Sequence, residues 1–188
     1  MSIKIDKTDR RIIEFLSKDA RRSLTQLARK VGISRPTLIS RLERLMRENL
    51  IGINVGLNLE KLGLLTAFVF LEIKGVKNQT NLERTLMKCP RVISAFKLEE
   101  KANLLLLIYG EDKRTLNAFI DSLRDLPGVE IISDMHSESP LFDEKFPIRV
   151  YSEKMTSAPC ERKCGECFRF KDASCVGCPA VIEYKGII

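Results

Sequence analysis

Residues 23–47 read SLTQLARKVGISRPTLISRLERLMR, two short amphipathic helices on either side of a Gly-containing turn. Ser23-Leu24-Thr25-Gln26 has the form of a capping box, in which the Ser oxygen takes one free helix N–H and the Gln reaches back to another. Leu24, Leu27, Ala28 and Val31 form the apolar side of that helix, which is predicted to end at Gly32. Ile33 plugs the core beneath the turn. Ser34 is a good N-cap for the next helix, and Pro36 stands in its first turn, where a missing N–H costs nothing. Leu38, Leu42 and Leu45 recur at i, i+4 and i+7 and make one face apolar. Upstream, Thr8 to Lys18 reads as a further helix with Ile12, Ile13, Phe15 and Leu16 on its inner side. Three short helices over 1–50 with this turn spacing are the pattern of a helix-turn-helix.

In such a module the last helix enters the major groove of duplex DNA, with its N-terminal residues at the base edges. Its outer face here carries Ser34, Arg35, Thr37, Ser40, Arg41 and Arg44. Arg makes bidentate contacts to guanine, and Ser and Thr suit phosphates or bases. The expectation is therefore Arg35, Thr37 and Arg41 nearest the bases, with Ser34, Ser40 and Arg44 on or near the backbone. Arg21, Arg22 and Arg47 are further phosphate contacts. Charge agrees with this placement. Residues 1–60 hold thirteen Lys/Arg against seven Asp/Glu, 61–139 hold eleven of each, and 140–188 hold eight against seven. Nearly all the excess of +7 thus lies where phosphates would be met.

Beyond residue 60 the hydrophobic period changes. Leu64–Ile73 is strand-like, and Asn81–Lys88 reads as a helix broken by Cys89-Pro90. Val92–Leu98 and Leu104–Tyr109 read as strands around a turn at 99–103. Lys113–Leu126 is amphipathic, with Leu116, Phe119, Ile120 and Leu123 on one side, and a last strand begins at Val129 after Pro127-Gly128. The order βαββαβ is that of a ferredoxin-like unit. Residues 140–159 show little periodicity and read as a linker, followed by a Cys-rich module at 160–188. The expected organisation is an α+β chain, with a DNA-binding domain at 1–60 and a ferredoxin-like domain at 61–139 ahead of that linker and module.

Five of the six cysteines form Cys160-x3-Cys164-x2-Cys167-x7-Cys175-x2-Cys178. Two residues between thiolates let a tight turn aim both sulfurs at one ion, and two such turns complete a four-cysteine site. Gly165 and Gly177 fall inside the two turns. Zinc is the default ion, with copper(I) and an iron–sulfur cluster as alternatives, the fifth thiol at Cys160 suiting exchange or a soft ion. Such a metal either folds a tail too small for its own core or reports metal or thiol state to the DNA-binding domain. Cys89, before Pro90, reads as a small buried hydrophobe.

The composition, 44% hydrophobic and 30% charged, is that of a folded globular chain. The longest apolar runs, 62–71 and 104–109, are too short to cross a bilayer, which takes ~20 residues. The first residues hold no apolar leader segment, so a cytoplasmic location without membrane contact is expected. An enzyme using the cysteines is the contrasting class. Against it stand a single histidine, His136, with no triad pattern near it, and the lack of a nucleotide-binding loop.

The stretch IDKTDRRIIEFLSKDARRSLTQLARKVGISRPTLISRLERLMRENLIG (5–52), with LEKLG (59–63) and FIDSLRDLPGVEII (119–132), resembles the leucine-responsive/asparagine-regulator (Lrp/AsnC) family of transcriptional regulators. The likeness covers about residues 3–135. It implies a winged helix-turn-helix joined to a ferredoxin-like ligand-sensing domain, homodimers or higher homo-oligomers formed through that second domain, and pseudo-palindromic promoter sites. It also implies an amino-acid pocket beside a Gly-x-x-Asp turn between the second and third strands of the sensing domain. Here that turn is Glu100-Lys101-Ala102-Asn103, without the Gly or the Asp, which shifts the expected route of signalling from an amino acid to the cysteine tail.

Overall fold

Helix α1 (Lys7–Lys18) begins where two aspartates cap each other. Asp6 Oδ1 accepts from the Asp9 N–H at 2.8 Å, and Asp9 Oδ2 accepts from the Asp6 N–H at 3.1 Å. Helix α2 (Leu24–Val31) starts on the predicted box, with Gln26 N–H donating to Ser23 Oγ at 3.2 Å and Ser23 N–H to Gln26 Oε1 at 3.4 Å. It ends at Gly32, whose φ of +79° lies in the left-handed region open to glycine at no steric cost. Helix α3 (Arg35–Arg47) starts on Ser34 with Pro36 in its first turn. Ile12, Leu27, Ala28, Val31, Leu38, Leu42 and Leu45 form the core of this bundle, closed by Ile13, Phe15, Leu16, Ile33, Leu50 and Ile51. Burying each large aliphatic side chain contributes about 1.5–3 kcal/mol, which is how helices this short persist.

The structure is a computed structural model describing residues 4–142 and 144–188. It divides into two units, Met1–Asn54 and Val55–Ile188. Among the described residues no strand hairpin follows α3, and the next regular element is β1. The helix-turn-helix is as expected; the wing is not found.

In the second unit, strand β1 (Leu65–Ile73), helix α4 (Val76–Lys88), strands β2 (Val92–Lys97) and β3 (Leu104–Gly110), helix α5 (Lys113–Arg124) and strand β4 (Val129–Ser137) follow in that order. The sheet is antiparallel with strand order β2-β3-β1-β4, the ferredoxin-like arrangement. Alternation decides the faces. Ala67, Val69, Leu71 and Ile73 of β1 and Leu104, Leu106 and Ile108 of β3 are buried with Leu82, Leu86, Leu116, Ile120 and Leu123 of the two helices. Helix α4 begins at Val76, ahead of the expected Asn81; its N-cap Gly75 makes no side-chain cap and so leaves no start signal in the sequence.

Residues 140–159 are not a free linker. Leu57 and Phe146 exchange two backbone hydrogen bonds of 2.9 Å. Phe146 and Ile148 join Leu57, Leu62 and Ile188 around a second small core of Leu59, Leu64 and Tyr109. Arg149 donates to the Cys89 carbonyl at 2.9 Å. Met155 pairs with Val181, and Ala158, Ala180 and Val181 are buried. The tail is therefore packed within the second unit, and not a separate module on a tether. Among the described residues no helix is long and apolar enough to cross a membrane.

Candidate nucleic-acid interface and cysteine pocket

The solvent face of α3 and the turn before it presents Ser34, Arg35, Thr37, Ser40 and Arg47, all exposed, as are Arg21 and Arg22 ahead of α2. Ser34 Oγ accepts the Thr37 N–H at 3.2 Å and lies 2.7 Å from Thr37 Oγ1, so these hydroxyls already order the helix start. A mainly basic groove beside α2 is lined by Asp19, Arg22, Gln26, Arg29 and Lys30, with Asp19 3.5 Å from both Arg21 and Arg22. Arg29 and Lys30 are not among the expected contacts, and their one signal in the sequence is as adjacent cations in the last turn of α2.

Arg41 and Arg44 are placed differently from Arg35. Arg41 Nη1 donates to Asp6 Oδ2 at 2.6 Å and to Asp9 Oδ1 at 2.8 Å, and Arg44 Nη2 donates to Asp9 Oδ2 at 2.5 Å. Asp9 is only 1% exposed, while both arginine side chains keep 30%. Burial works to raise the Asp9 carboxyl, but the hydrogen bonds from Arg41 and Arg44 outweigh it and hold the group below its ordinary 3.8. Asp6 is held low by the Asp9 N–H and then by Arg41. The Asp-x-x-Asp of residues 6–9 is thus at once the start of α1 and the clamp that fixes α3 against it.

The sheet face away from the helices is covered at Tyr109 by Leu59, Leu64 and Phe146 and open elsewhere, with an apolar patch. Phe68, Phe96 and Met135 are exposed on it, brought together by the pairings Phe68↔Met135, Phe68↔Leu107 and Phe96↔Leu105. At the corner where the family carries Gly-x-x-Asp, Asn103 exchanges two 2.9 Å hydrogen bonds with the Ile73 main chain. Its N–H also donates to the Leu71 carbonyl at 2.8 Å. The side chain extends the β1–β3 ladder by one more pair, a structural duty that leaves neither amide group idle.

All six cysteines line a single cavity of ≈ 110 Å³. Cys160, Cys164, Cys167, Cys175 and Cys178 come from the tail; Cys89 comes from the end of α4. Cys164 opens a 3-10 turn (Cys164–Glu166), and Cys167 closes it and caps helix α6 (Phe168–Lys171). Gly177, at φ +95°, makes the second turn. Two N–H groups point at sulfur: Cys178 N–H to Cys164 Sγ at 3.3 Å and Gly177 N–H to Cys175 Sγ at 3.4 Å. Burial pushes the Cys89, Cys164 and Cys175 thiols up, and Cys178 up to about 12. Among the described residues no three Cys, His, Asp or Glu side chains converge tightly enough to hold one ion.

The pocket is fastened to the sheet by a buried arginine. Arg91, 4% exposed, donates to Glu111 Oε2 at 2.8 Å and to the Gly177 carbonyl at 2.5 Å. Tyr184 donates to the other Glu111 oxygen at 2.5 Å. Arg162 donates to the Ser122 carbonyl at 3.1 Å, and Arg169 to Asp125 at 2.6 Å. Removing Arg91 would strand a nearly buried carboxylate, the costly way to break such a pair.

A helix-turn-helix with a basic reading face, in a chain that also holds a ferredoxin-like domain, is the architecture of a DNA-binding transcriptional regulator. The chain belongs to the Lrp/AsnC family. The AsnC-type helix-turn-helix domain matches residues 5–46, and the Lrp/AsnC ligand binding domain matches residues 66–135. An uncharacterized HTH-type transcriptional regulator of Pyrococcus horikoshii is 31% identical over 130 residues, 66% of this chain and 87% of its own length. The HTH-type transcriptional regulator FL11 of Pyrococcus abyssi is 26% identical over 146 residues, 74% of this chain and 96% of its own. In fold, the chain is similar to the leucine response regulatory protein of Mycobacterium tuberculosis, with a TM-score of 0.67 at 22% identity, over 74% of this chain and 97% of that one. It is equally similar to a Neisseria meningitidis transcriptional regulator solved in complex with L-Met, with a TM-score of 0.67 at 23% identity, over 78% and 97%. Residues 136–188 lie beyond both family matches.

Proposed function

We propose that this regulator binds pseudo-palindromic duplex sites as a homodimer or higher oligomer, and that its DNA affinity is set by a metal or by thiol state at the cysteine tail. Helix α3 supplies the readout. Arg35 and Thr37 reach base edges, Ser40, Arg47, Arg21 and Arg22 contact the backbone, and Arg29 and Lys30 add phosphate contacts. Arg41 and Arg44 act chiefly by holding α3 in place. The oligomer forms through the open sheet face of Phe68, Phe96 and Met135, since an apolar patch of this kind is covered in the working state. Two modules on two half-sites raise affinity far beyond one.

The observation that carries the signalling part is the gathering of all six cysteines around one cavity that the sensing domain helps to build. Zinc, copper(I) and an iron–sulfur cluster are the candidate occupants, held by thiols among Cys160, Cys164, Cys167, Cys175 and Cys178. Binding would displace thiol protons and order the tail against Arg91 and α5. The test is operator affinity of the full chain with and without metal, for the wild type and for Cys164→Ser with Cys167→Ser. A metal-dependent affinity that the double variant loses supports the proposal; equal affinities in all four states would sink it.

A second reading keeps a small-molecule effector. The matched ligand binding domain and the relative solved with L-Met favour it, and the Asn103 ladder contact speaks against it. Calorimetric titration with amino acids separates the two.

A further inference from the structure

The cavity carries more information than the spacing of its cysteines. In a zinc tetrathiolate the sulfurs crowd to about 3.8 Å from one another, set by bonds of about 2.3 Å. In a four-iron cluster each thiolate binds a different corner of a cube, and the sulfurs stand roughly 6 Å apart. Here six thiols line one half-open cavity, yet no three of them close on a single ion. Both Cys-x2-Cys pairs face it, and Cys178 N–H donates to Cys164 Sγ across the two pairs, so the pairs belong to one site and not two.

The surroundings fit an anionic, polarisable occupant. Backbone N–H groups are aimed at Cys164 and Cys175 sulfur, the kind of hydrogen bond that tunes cluster thiolates. Arg162, bonded to the neutral Ser122 carbonyl, brings positive charge to the wall, and Ala118, Phe119 and Ala158 give it an apolar side. The wall opposite the tail belongs to the sensing domain, through α5 and through Cys89.

We propose that this cavity holds a four-iron, four-sulfide cluster ligated by Cys164, Cys167, Cys175 and Cys178, wedged between the tail and the α4–α5 side of the sensing domain. Cys89 and Cys160 line the chamber without ligating. The proposal rests on the metal-dependent reading above and names its occupant. Because one wall is the sensing domain, loss of the cluster frees the tail from α5 and from the Arg91–Gly177 contact, so the oxidant or iron supply that removes it is felt at the domain that assembles the oligomer.

The test uses the full chain purified without oxygen and supplied with ferrous and ferric iron in equal amounts plus sulfide, or, separately, with zinc alone. About four irons and four sulfides per chain, with a broad visible absorption that bleaches on reduction, are expected. Cys167→Ser and Cys175→Ser abolish iron binding while circular dichroism of the chain is kept, and Cys89→Ala retains the full iron content. One tightly bound zinc per chain with no uptake of iron and sulfide overturns the cluster; operator affinity that follows that zinc leaves the metal-dependent reading standing. A chain that takes up neither metal overturns the cluster, and operator affinity that still follows copper(I) or thiol oxidation leaves the tail's signalling role standing. Iron lost in Cys89→Ala but kept in Cys167→Ser overturns the ligand assignment.

Discussion

Replacing Asp9 by alanine should loosen the DNA-binding unit without touching its outer face. Asp9 is 1% exposed and receives Arg41 at 2.8 Å and Arg44 at 2.5 Å, besides the Asp6 N–H at 3.1 Å. A surface ion pair is worth at most about 1 kcal/mol, whereas removing one partner of a fully buried pair costs about 3–5 kcal/mol. This case lies between. The carboxylate is buried, but both arginines keep 30% exposure and can return to water once it is gone. Two charge-assisted bonds discounted in this way, with half of a capping box at a few tenths to 1 kcal/mol, give a loss of about 2–3 kcal/mol. Native-state hydrogen exchange of the full chain reads the α1–α3 amides apart from the second unit. Protection there should fall by about 30- to 150-fold, at 1.4 kcal/mol for each factor of ten, with β1 and β3 unchanged. A cycle with Arg41→Ala should give a coupling of about 1 kcal/mol or more. A loss below about 1 kcal/mol, or additive single variants, would refute the clamp and return Arg41 to a free DNA-reading role.

The same aspartates set an acid limit. Their carboxyls are held below the ordinary 3.8, so the stabilisation is complete above that value and is lost as pH falls below it through the depressed values. Exchange protection of α1–α3 should hold from neutral pH down to that point and then drop, and less so in Asp9→Asn; a drop confined to the range above pH 5 would contradict the assignment. Arg35→Ala should weaken operator binding by about 1–3 kcal/mol and relax preference at one base position. Arg47→Ala should instead weaken all sequences alike and reduce the salt slope by about one; filter binding at several salt concentrations distinguishes them. Phe96→Glu should shift sedimentation toward the monomer, since it puts a charge on the apolar sheet face beside Leu105; an unchanged oligomer would place the interface elsewhere.

Much of this protein was legible because its signals are local. Capping boxes, the Gly32 turn and the i, i+4, i+7 leucines of α3 depend on neighbours a few residues away, and they fix three helices whatever else the chain does. The strand-like apolar run of Leu64–Ile73 and the amphipathic helix from Lys113 are local in the same sense, and their order leaves the ferredoxin-like arrangement as the natural closure. The start of α4 is not legible, because a glycine N-cap leaves no side-chain mark. Nor is the docking of the tail, because residues 140–159 have no period; they are held by single backbone pairings such as Leu57–Phe146, which leave no repeat behind.

What the sequence determined by itself is the helix-turn-helix, its positive charge and the spacing of five tail cysteines. Tertiary structure alone decided which arginines are free. Arg35 and Arg41 look alike in the text, but 32 residues separate Arg41 from the Asp9 carboxylate that holds it. Only the fold decided, too, that Cys89, which reads as a small hydrophobe before a proline, stands in the wall of the same cavity as Cys178. Contacts between residues so far apart depend on how the sheet and helices close, and pairwise closure of that kind is not encoded by any window of neighbouring residues.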